Sequence, residues 1–247
     1  MSGHSKWHNI QARKGKMDAV RGNIFTKIGR EIAVAVKNGG ADPNTNNTLK
    51  TVIAKAKAAN MPNDNITRSI KKASGELGSI NYEEKTYEGY GVGGVAVIVR
   101  CLTDNINRTA GDVRHAFDKH GGSLGATGCV SYMFRNKSCV VVEKNLDTDV
   151  DTLMMQALDL GALDVVECDD VVEIETDIKS LAQIAEALTN DGYKVLSSET
   201  TMVADNNVDL DEKQLASFTK MIDELEDNDD VQEVFHNANL LEEDEEE

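Results

Sequence analysis

The chain has 247 residues, 40% of them hydrophobic and 28% charged, with a formal net charge of −17. That length accommodates two or three domains, each able to bury its own core, and the longest apolar runs, such as Val95–Val99, fall far short of the roughly 20 residues that cross a bilayer. A membrane helix is excluded, and Lys6, Arg13, Lys14 and Lys16 interrupt the window where a secretory signal would carry its apolar stretch, so a cytoplasmic address is expected.

The charge is unevenly placed. Residues 1–75 hold 14 Lys and Arg against four acids, whereas the remaining 172 residues hold 12 against 39. A basic module that meets phosphate, on an acidic body that keeps the whole dissolved, is the physical reading of that split. The basic end begins with Ser2–Lys16, an arm that contains the single tryptophan, Trp7. Beside Lys6, an indole can stack on an unpaired base or pack down as an anchor for the arm.

From Met17 to Asn38 the apolar residues Val20, Ile24, Ile28, Ile32 and Val36 recur every fourth position, which predicts a helix stopped by Gly39-Gly40. Asp42-Pro43 offers an N-cap and first-turn proline for a second helix with Leu49, Val52, Ile53 and Ala56 on one face, ended by Asn60-Met61-Pro62. A third helix turns Ile66, Ile70 and Ala73 inward and Arg68, Lys71 and Lys72 outward, and closes at Gly75. After a linker at 75–80 the pattern changes to strands and helices. Strand Val95–Leu102, helix Thr109–His120 and strand Val130–Phe134 come first, and then strand Ser138–Glu143, helix Val150–Leu160, strands Asp164–Cys168 and Val171–Thr176, helix Ile178–Asn190 and strand Lys194–Ser198. The latter order is βαββαβ, the split βαβ arrangement. A final strand, helix and strand, Thr200–Ala204, Glu212–Glu226 and Val231–Phe235, complete the half-unit at 95–134.

The expected fold class is therefore α+β in three domains: a helical bundle followed by two ferredoxin-like α/β domains, the last inserted into the middle one. The boundaries are 1–76 for the basic helical domain with its arm, 80–134 plus 200–241 for the discontinuous domain, 135–199 for the insertion, and 242–247 for an acidic tail. Insertion at a surface turn is physically cheap. The tail is expected to be disordered, and to fold back on the basic domain or merely to solubilise.

No catalytic constellation emerges. Cys101, Cys129, Cys139 and Cys168 are far apart with no C-x-x-C pair, and read as reduced core thiols. His4 and His8 lack further ligands nearby, so no metal or other cofactor is expected. Gly89, Gly91 and Gly94 satisfy G-x-G-x-x-G, but a strand follows where a nucleotide fingerprint needs a helix N-terminus, so a turn between two strands is the better reading. Gly121, Gly122, Ser123 and Gly125 lie in a second glycine loop without a P-loop lysine. It is either an ordinary connection or a candidate backbone-contact loop whose amides approach a phosphate. The main phosphate donors are then Lys6, Arg13, Lys14, Lys16, Arg21, Lys27 and Arg30, with Lys50, Lys57, Arg68, Lys71 and Lys72 as an auxiliary face.

Several longer stretches carry a resemblance. Gly3-His4-Ser5-Lys6-Trp7, Gly22-Asn23-Ile24-Phe25-Thr26-Lys27, Ala54–Pro62, Tyr87-Glu88-Gly89-Tyr90-Gly91, Leu102-Thr103-Asp104-Asn105, Lys119-His120-Gly121-Gly122 and Asp229-Asp230-Val231-Gln232 together resemble the YebC family of bacterial regulators, to which a mitochondrial translational activator also belongs. The resemblance implies three domains with a helical first one. It also implies a non-enzymatic regulator, in the convention of the family a DNA-binding transcription factor. Alternatively it implies a ribosome-associated translation factor that binds ribosomal or transfer RNA and eases elongation through proline-rich stretches. A third reading is a protein adaptor whose basic end is incidental. No membrane and no small-molecule substrate enter any of the three.

Overall fold

The computed structural model describes residues 21–75, 81–145 and 148–239. In chain order the elements are α1 (Arg21–Gly39), α2 (Asn47–Ala58), α3 (Asn63–Ala73), β1 (Glu83–Tyr90), β2 (Ala96–Thr103), α4 (Ile106–Lys119), β3 (Ser123–Leu124), β4 (Phe134–Glu143), α5 (Val150–Asp159), β5 (Asp164–Glu167), β6 (Val171–Thr176), α6 (Leu181–Asn190), β7 (Val195–Ala204), β8 (Val208–Asp209), α7 (Glu212–Asp227), β9 (Val231–His236) and β10 (Ala238–Asn239). They form two compact units, Phe134–Asp205 and the segments on either side of it.

Within the first helices the four-residue recurrence does what it predicts. Ile28, Ile32 and Val36 of α1 meet Leu49, Val52 and Ala56 of α2 and Ile66 of α3 in one core. Ile32 and Leu49 are wholly buried, and burying each such side chain contributes about 1.5–3 kcal/mol. Gly40, at φ +86°, terminates α1 in the left-handed conformation that costs glycine least. The entry to α2 differs from the expectation at Asp42-Pro43. Asn46 is the N-cap: its side-chain oxygen accepts from the Leu49 N–H at 3.0 Å, while its amide nitrogen donates to the carbonyls of Ala35 and Gly40, both at 2.8 Å. Only an amide both accepts and donates in this way; Asp42 instead closes the preceding turn by accepting from the Asn44 N–H at 2.9 Å.

The unit that holds these helices also contains an antiparallel sheet in the order β3-β1-β2-β9. Alternate residues of β2 (Val97, Val99 and Cys101) pack against Val113 and Phe117 of α4 and Phe218, Met221 and Leu225 of α7. The glycine run after β1 is a tight turn into β2 rather than a nucleotide loop. Gly93 has φ +72°, and a Cβ there would lie 2.4 Å from Leu210, so no other residue fits without displacement.

Phe134–Asp205 carries the βαββαβ order, with its sheet in the order β5-β6-β4-β7 and all neighbours antiparallel. That is the ferredoxin-like arrangement. Val140, Val142, Val172 and Ile174 on one sheet face bury Leu153 and Ala157 of α5 and Ile184 and Leu188 of α6.

Two strand assignments move. Val130–Phe134, expected as a strand of the middle domain, is a 3-10 turn at Ser131–Met133, and Phe134 opens β4. Thr200–Ala204 does not return to the middle sheet; it continues β7, with Ala204 opposite Phe134. Only Glu199 separates it from the preceding strand, and no glycine or proline breaks the run. The inserted sheet therefore extends over 134–204 rather than 135–199. The place in the middle sheet is taken by β1, whose charged start Glu83-Glu84-Lys85 hides it from an apolar scan.

Candidate nucleic-acid interface

The basic residues of the helical domain separate into two classes by where their helices aim them. Lys50 and Lys57 of α2 and Arg68, Lys71 and Lys72 of α3 are exposed and free of ion pairs among the described residues. The helical period explains it: each lies off the buried stripe of Leu49, Val52 and Ala56 on α2 and Ile66 on α3. Lys55, on the same helix, is instead paired with Glu31 at 2.7 Å. α2 and α3 are joined by the four residues Ala59–Pro62. Asn60 takes φ +57° in that turn, and Met61 is buried beneath it.

Lys27 and Arg30 point the other way, into the junction with the sheet domain. The Lys27 ammonium donates to the Glu226 carbonyl at 2.5 Å, and the Asn23 amide donates to the Asp227 carbonyl at 3.2 Å. These are carbonyls of the last turn of α7, which lack intrahelical partners and carry the negative end of the helix dipole; α7 has no basic residue of its own there. Burial lowers the Lys27 pKa, against the opposing fields of Glu226 and Asp229. Arg30 donates to the Leu102 carbonyl at 2.7 Å and pairs with the Asp230 carboxylate, with Tyr82 against its guanidinium at 5.3 Å. Its side chain is 11% exposed. Both cations fasten the helical domain to the sheet domain beside it.

Asp230 is the hub of that junction. Besides Arg30 it accepts from Arg108 at 2.7 and 3.0 Å, from Thr109 at 2.6 Å and from Thr103 at 3.2 Å. Burial alone would raise its pKa, but the bonds from Thr109, Arg108 and Arg30 outweigh it and bring the carboxyl down to about 2. It is ionised throughout the physiological range, and two cations and two hydroxyls balance its desolvation.

The glycine loop is likewise engaged internally. The N–H groups of Gly122 and Gly125 donate to the carbonyls of Phe117 and Glu88, both at 2.8 Å, and Gly121 to that of Asp118 at 3.4 Å. Ser123 lies in β3 opposite Tyr90. Further along, the buried Glu88 carboxylate accepts from Gly128 N–H at 2.8 Å and from Val130 and Ser131 N–H at 2.9 Å each. Burial raises the Glu88 pKa, and these backbone bonds more than reverse the shift. The Glu88 carboxylate thus fills the amide cradle of Gly128, Val130 and Ser131, while the N–H groups of Gly121, Gly122 and Gly125 are taken by backbone carbonyls.

Lys6, Trp7, Arg13, Lys14 and Lys16, the side chain of Arg21, and the tail 242–247 lie outside the described residues. No described helix is long and apolar enough to cross a membrane. Among the described residues no three His, Cys, Asp or Glu side chains are grouped to hold a metal ion.

Two family models cover this chain: one for the TACO1/YebC protein N-terminal domain matches residues 5–76, and one for the TACO1/YebC second and third domain matches residues 82–238. The chain belongs to the TACO1/YebC family. Among similar proteins, a "probable transcriptional regulatory protein" of Clostridium tetani is 56% identical over 98% of this chain and 99% of its own length. A relative of the same description from Clostridium botulinum is 58% identical over 98% of each. A crystal structure of a conserved hypothetical protein from Aquifex aeolicus is similar with a TM-score of 0.80 and 42% identity, over 94% of this chain and 96% of that one.

Two of the stretches that carry the family resemblance contain the internal hubs. Glu88 sits in Tyr87-Glu88-Gly89-Tyr90-Gly91 and Asp230 in Asp229-Asp230-Val231-Gln232. Both escape a bottom-up reading because they are two acids among 43, and nothing in their local spacing announces burial.

Proposed function

We propose that this member of the TACO1/YebC family is a non-enzymatic regulator of gene expression that binds nucleic acid through the outer face of its helical domain. The observation that carries the reading is the set Lys50, Lys57, Arg68, Lys71 and Lys72, exposed and unpaired among the described residues, on a chain whose other 172 residues are strongly acidic. Unpaired cations concentrated on one small domain gain affinity by releasing counterions from a polyphosphate. The arm residues Lys6, Trp7, Arg13, Lys14, Lys16 and Arg21 extend the set, and Lys27 and Arg30 drop out of it.

Double-stranded DNA is the first target, in keeping with the descriptions of the relatives. The four-residue connection between α2 and α3 has the length found in helix-turn-helix units, with Arg68, Lys71 and Lys72 on the second helix. Structured RNA, such as ribosomal or transfer RNA on the ribosome, is the second reading. It is favoured by the acidity of the body, which repels a duplex lying along its length, whereas a folded RNA meets the basic end while most of its phosphates stay clear of the body.

The test compares co-sedimentation with ribosomes and retention on promoter-length duplex DNA in one buffer, for the wild type and for Arg68→Glu/Lys71→Glu/Lys72→Glu. The wild type is expected to bind one target at least tenfold more tightly than the variant does. Equal binding by the two proteins, or no binding to either target, contradicts the proposal.

A further inference from the structure

In the unit that contains the helical domain, the described residues expose two large apolar side chains, Tyr132 and Tyr90, at 74% and 37%. They are neighbours: hydrogen bonding with Tyr132 is the main cause that raises the Tyr90 phenol above its ordinary pKa, and the Tyr90 hydroxyl donates to the Cys129 carbonyl at 3.1 Å. The backbone that presents Tyr132 is held from below. Val130 and Ser131 N–H both bind the Glu88 carboxylate, and Met133 N–H binds the Val130 carbonyl at 2.9 Å. A ring this exposed on a segment this firmly anchored gains nothing for the fold from its position.

The surroundings select the ligand. Gly125, Ala126, Thr127 and Gly128 are exposed and small, so a chain can approach closely there. Among the described residues of this unit no other exposed large apolar side chain adjoins the pair, as a protein-binding patch would require. A nucleobase needs only one π-face to stack on and small neighbours to admit its sugar. We propose that Tyr132, steadied by Tyr90, is a stacking platform for an unpaired base of a single-stranded nucleic-acid segment, with the sugar–phosphate passing over Gly125–Gly128. This rests on the reading of the protein as a nucleic-acid binder and adds a second contact site to the basic helices.

Full-length protein is titrated with fluorescein-labelled dodecamers of uridine and of adenosine, and with a 12-base-pair RNA duplex, at one salt concentration. Tyr132→Ala is expected to lose about tenfold or more in affinity for the single strands, as removal of one base–aromatic stack does, and to keep its affinity for the duplex. Tyr132→Phe and Tyr132→Trp are expected to retain single-strand binding, and melting temperatures to stay unchanged because the side chain is exposed. Undiminished single-strand binding by Tyr132→Ala, with the wild type binding both ligands, overturns the platform alone and leaves the ring to a protein partner. Failure of the wild type to bind any of the three overturns the platform and the nucleic-acid reading together.

Discussion

Replacing Asp230 with alanine is expected to destabilise the protein by about 3–5 kcal/mol, because breaking a buried pair leaves an uncompensated charge behind. The charge left is Arg30, whose side chain is 11% exposed and whose other hydrogen bond among the described residues goes to the Leu102 carbonyl. Thr103 and Thr109 lose their acceptor as well. Replacing Arg30 with methionine at the same time is expected to recover much of the loss, since removing both partners spares the desolvation of either. Denaturant unfolding of the two variants reads the difference. The pH dependence has a fixed sign. The folded pKa, about 2, lies below the ordinary value of 3.8, so the ionised form stabilises the fold fully above about pH 4, and that stabilisation is lost as pH falls toward 2, with a magnitude of about 2 kcal/mol. Asp230→Asn is expected to flatten this limb of the stability profile.

Glu88→Gln is expected to cost about 2–4 kcal/mol even though it preserves shape. One carboxylate oxygen receives Gly128 N–H, and the other receives Val130 and Ser131 N–H. An amide offers a single accepting oxygen, so its NH2 must face at least one backbone donor, and a hydrogen bond to a charged acceptor is worth about 1.5–3 kcal/mol. Hydrogen exchange at Gly128, Val130 and Ser131 is the local readout: it is expected to accelerate in the variant while the amides of α1 keep wild-type protection. Unchanged exchange at all three would mean that the loop does not depend on Glu88.

How much of this was legible in the sequence follows from which interactions are local. The helices of the first domain, the βαββαβ unit and the insertion are set by periodicity and by turn residues close in the chain, and the structure agrees with them in kind. The errors come from contacts far apart in sequence. Lys27 and Arg30 look like their neighbours Lys50 and Arg68 until α7 and Asp230, some 200 residues away, are brought against α1. The charged start of β1 and the unbroken run through Glu199 misplace two strands, because pairing with β2 and β4 overrides local propensity. The glycine loop invites a phosphate on composition alone; only the fold reveals that the amides of Gly121, Gly122 and Gly125 meet backbone carbonyls and that Glu88 takes those of Gly128, Val130 and Ser131. Tyr132 carried no sequence signal, since exposure on an anchored turn is a property of the tertiary structure.

The proposed division of labour among the cations of the helical domain sets those on α2 and α3 against a polyphosphate and leaves those on the inner face of α1 to hold two domains together. The salt dependence of affinity measures it. With about six phosphate contacts, log affinity of the wild type for a DNA duplex should fall against log salt with a slope near −5. Arg68→Glu/Lys71→Glu/Lys72→Glu should flatten that slope by about three, while Lys27→Met should lower the unfolding midpoint and leave the slope unchanged. A triple variant with the wild-type slope, or a Lys27→Met protein that is fully stable with a flattened one, would contradict the account.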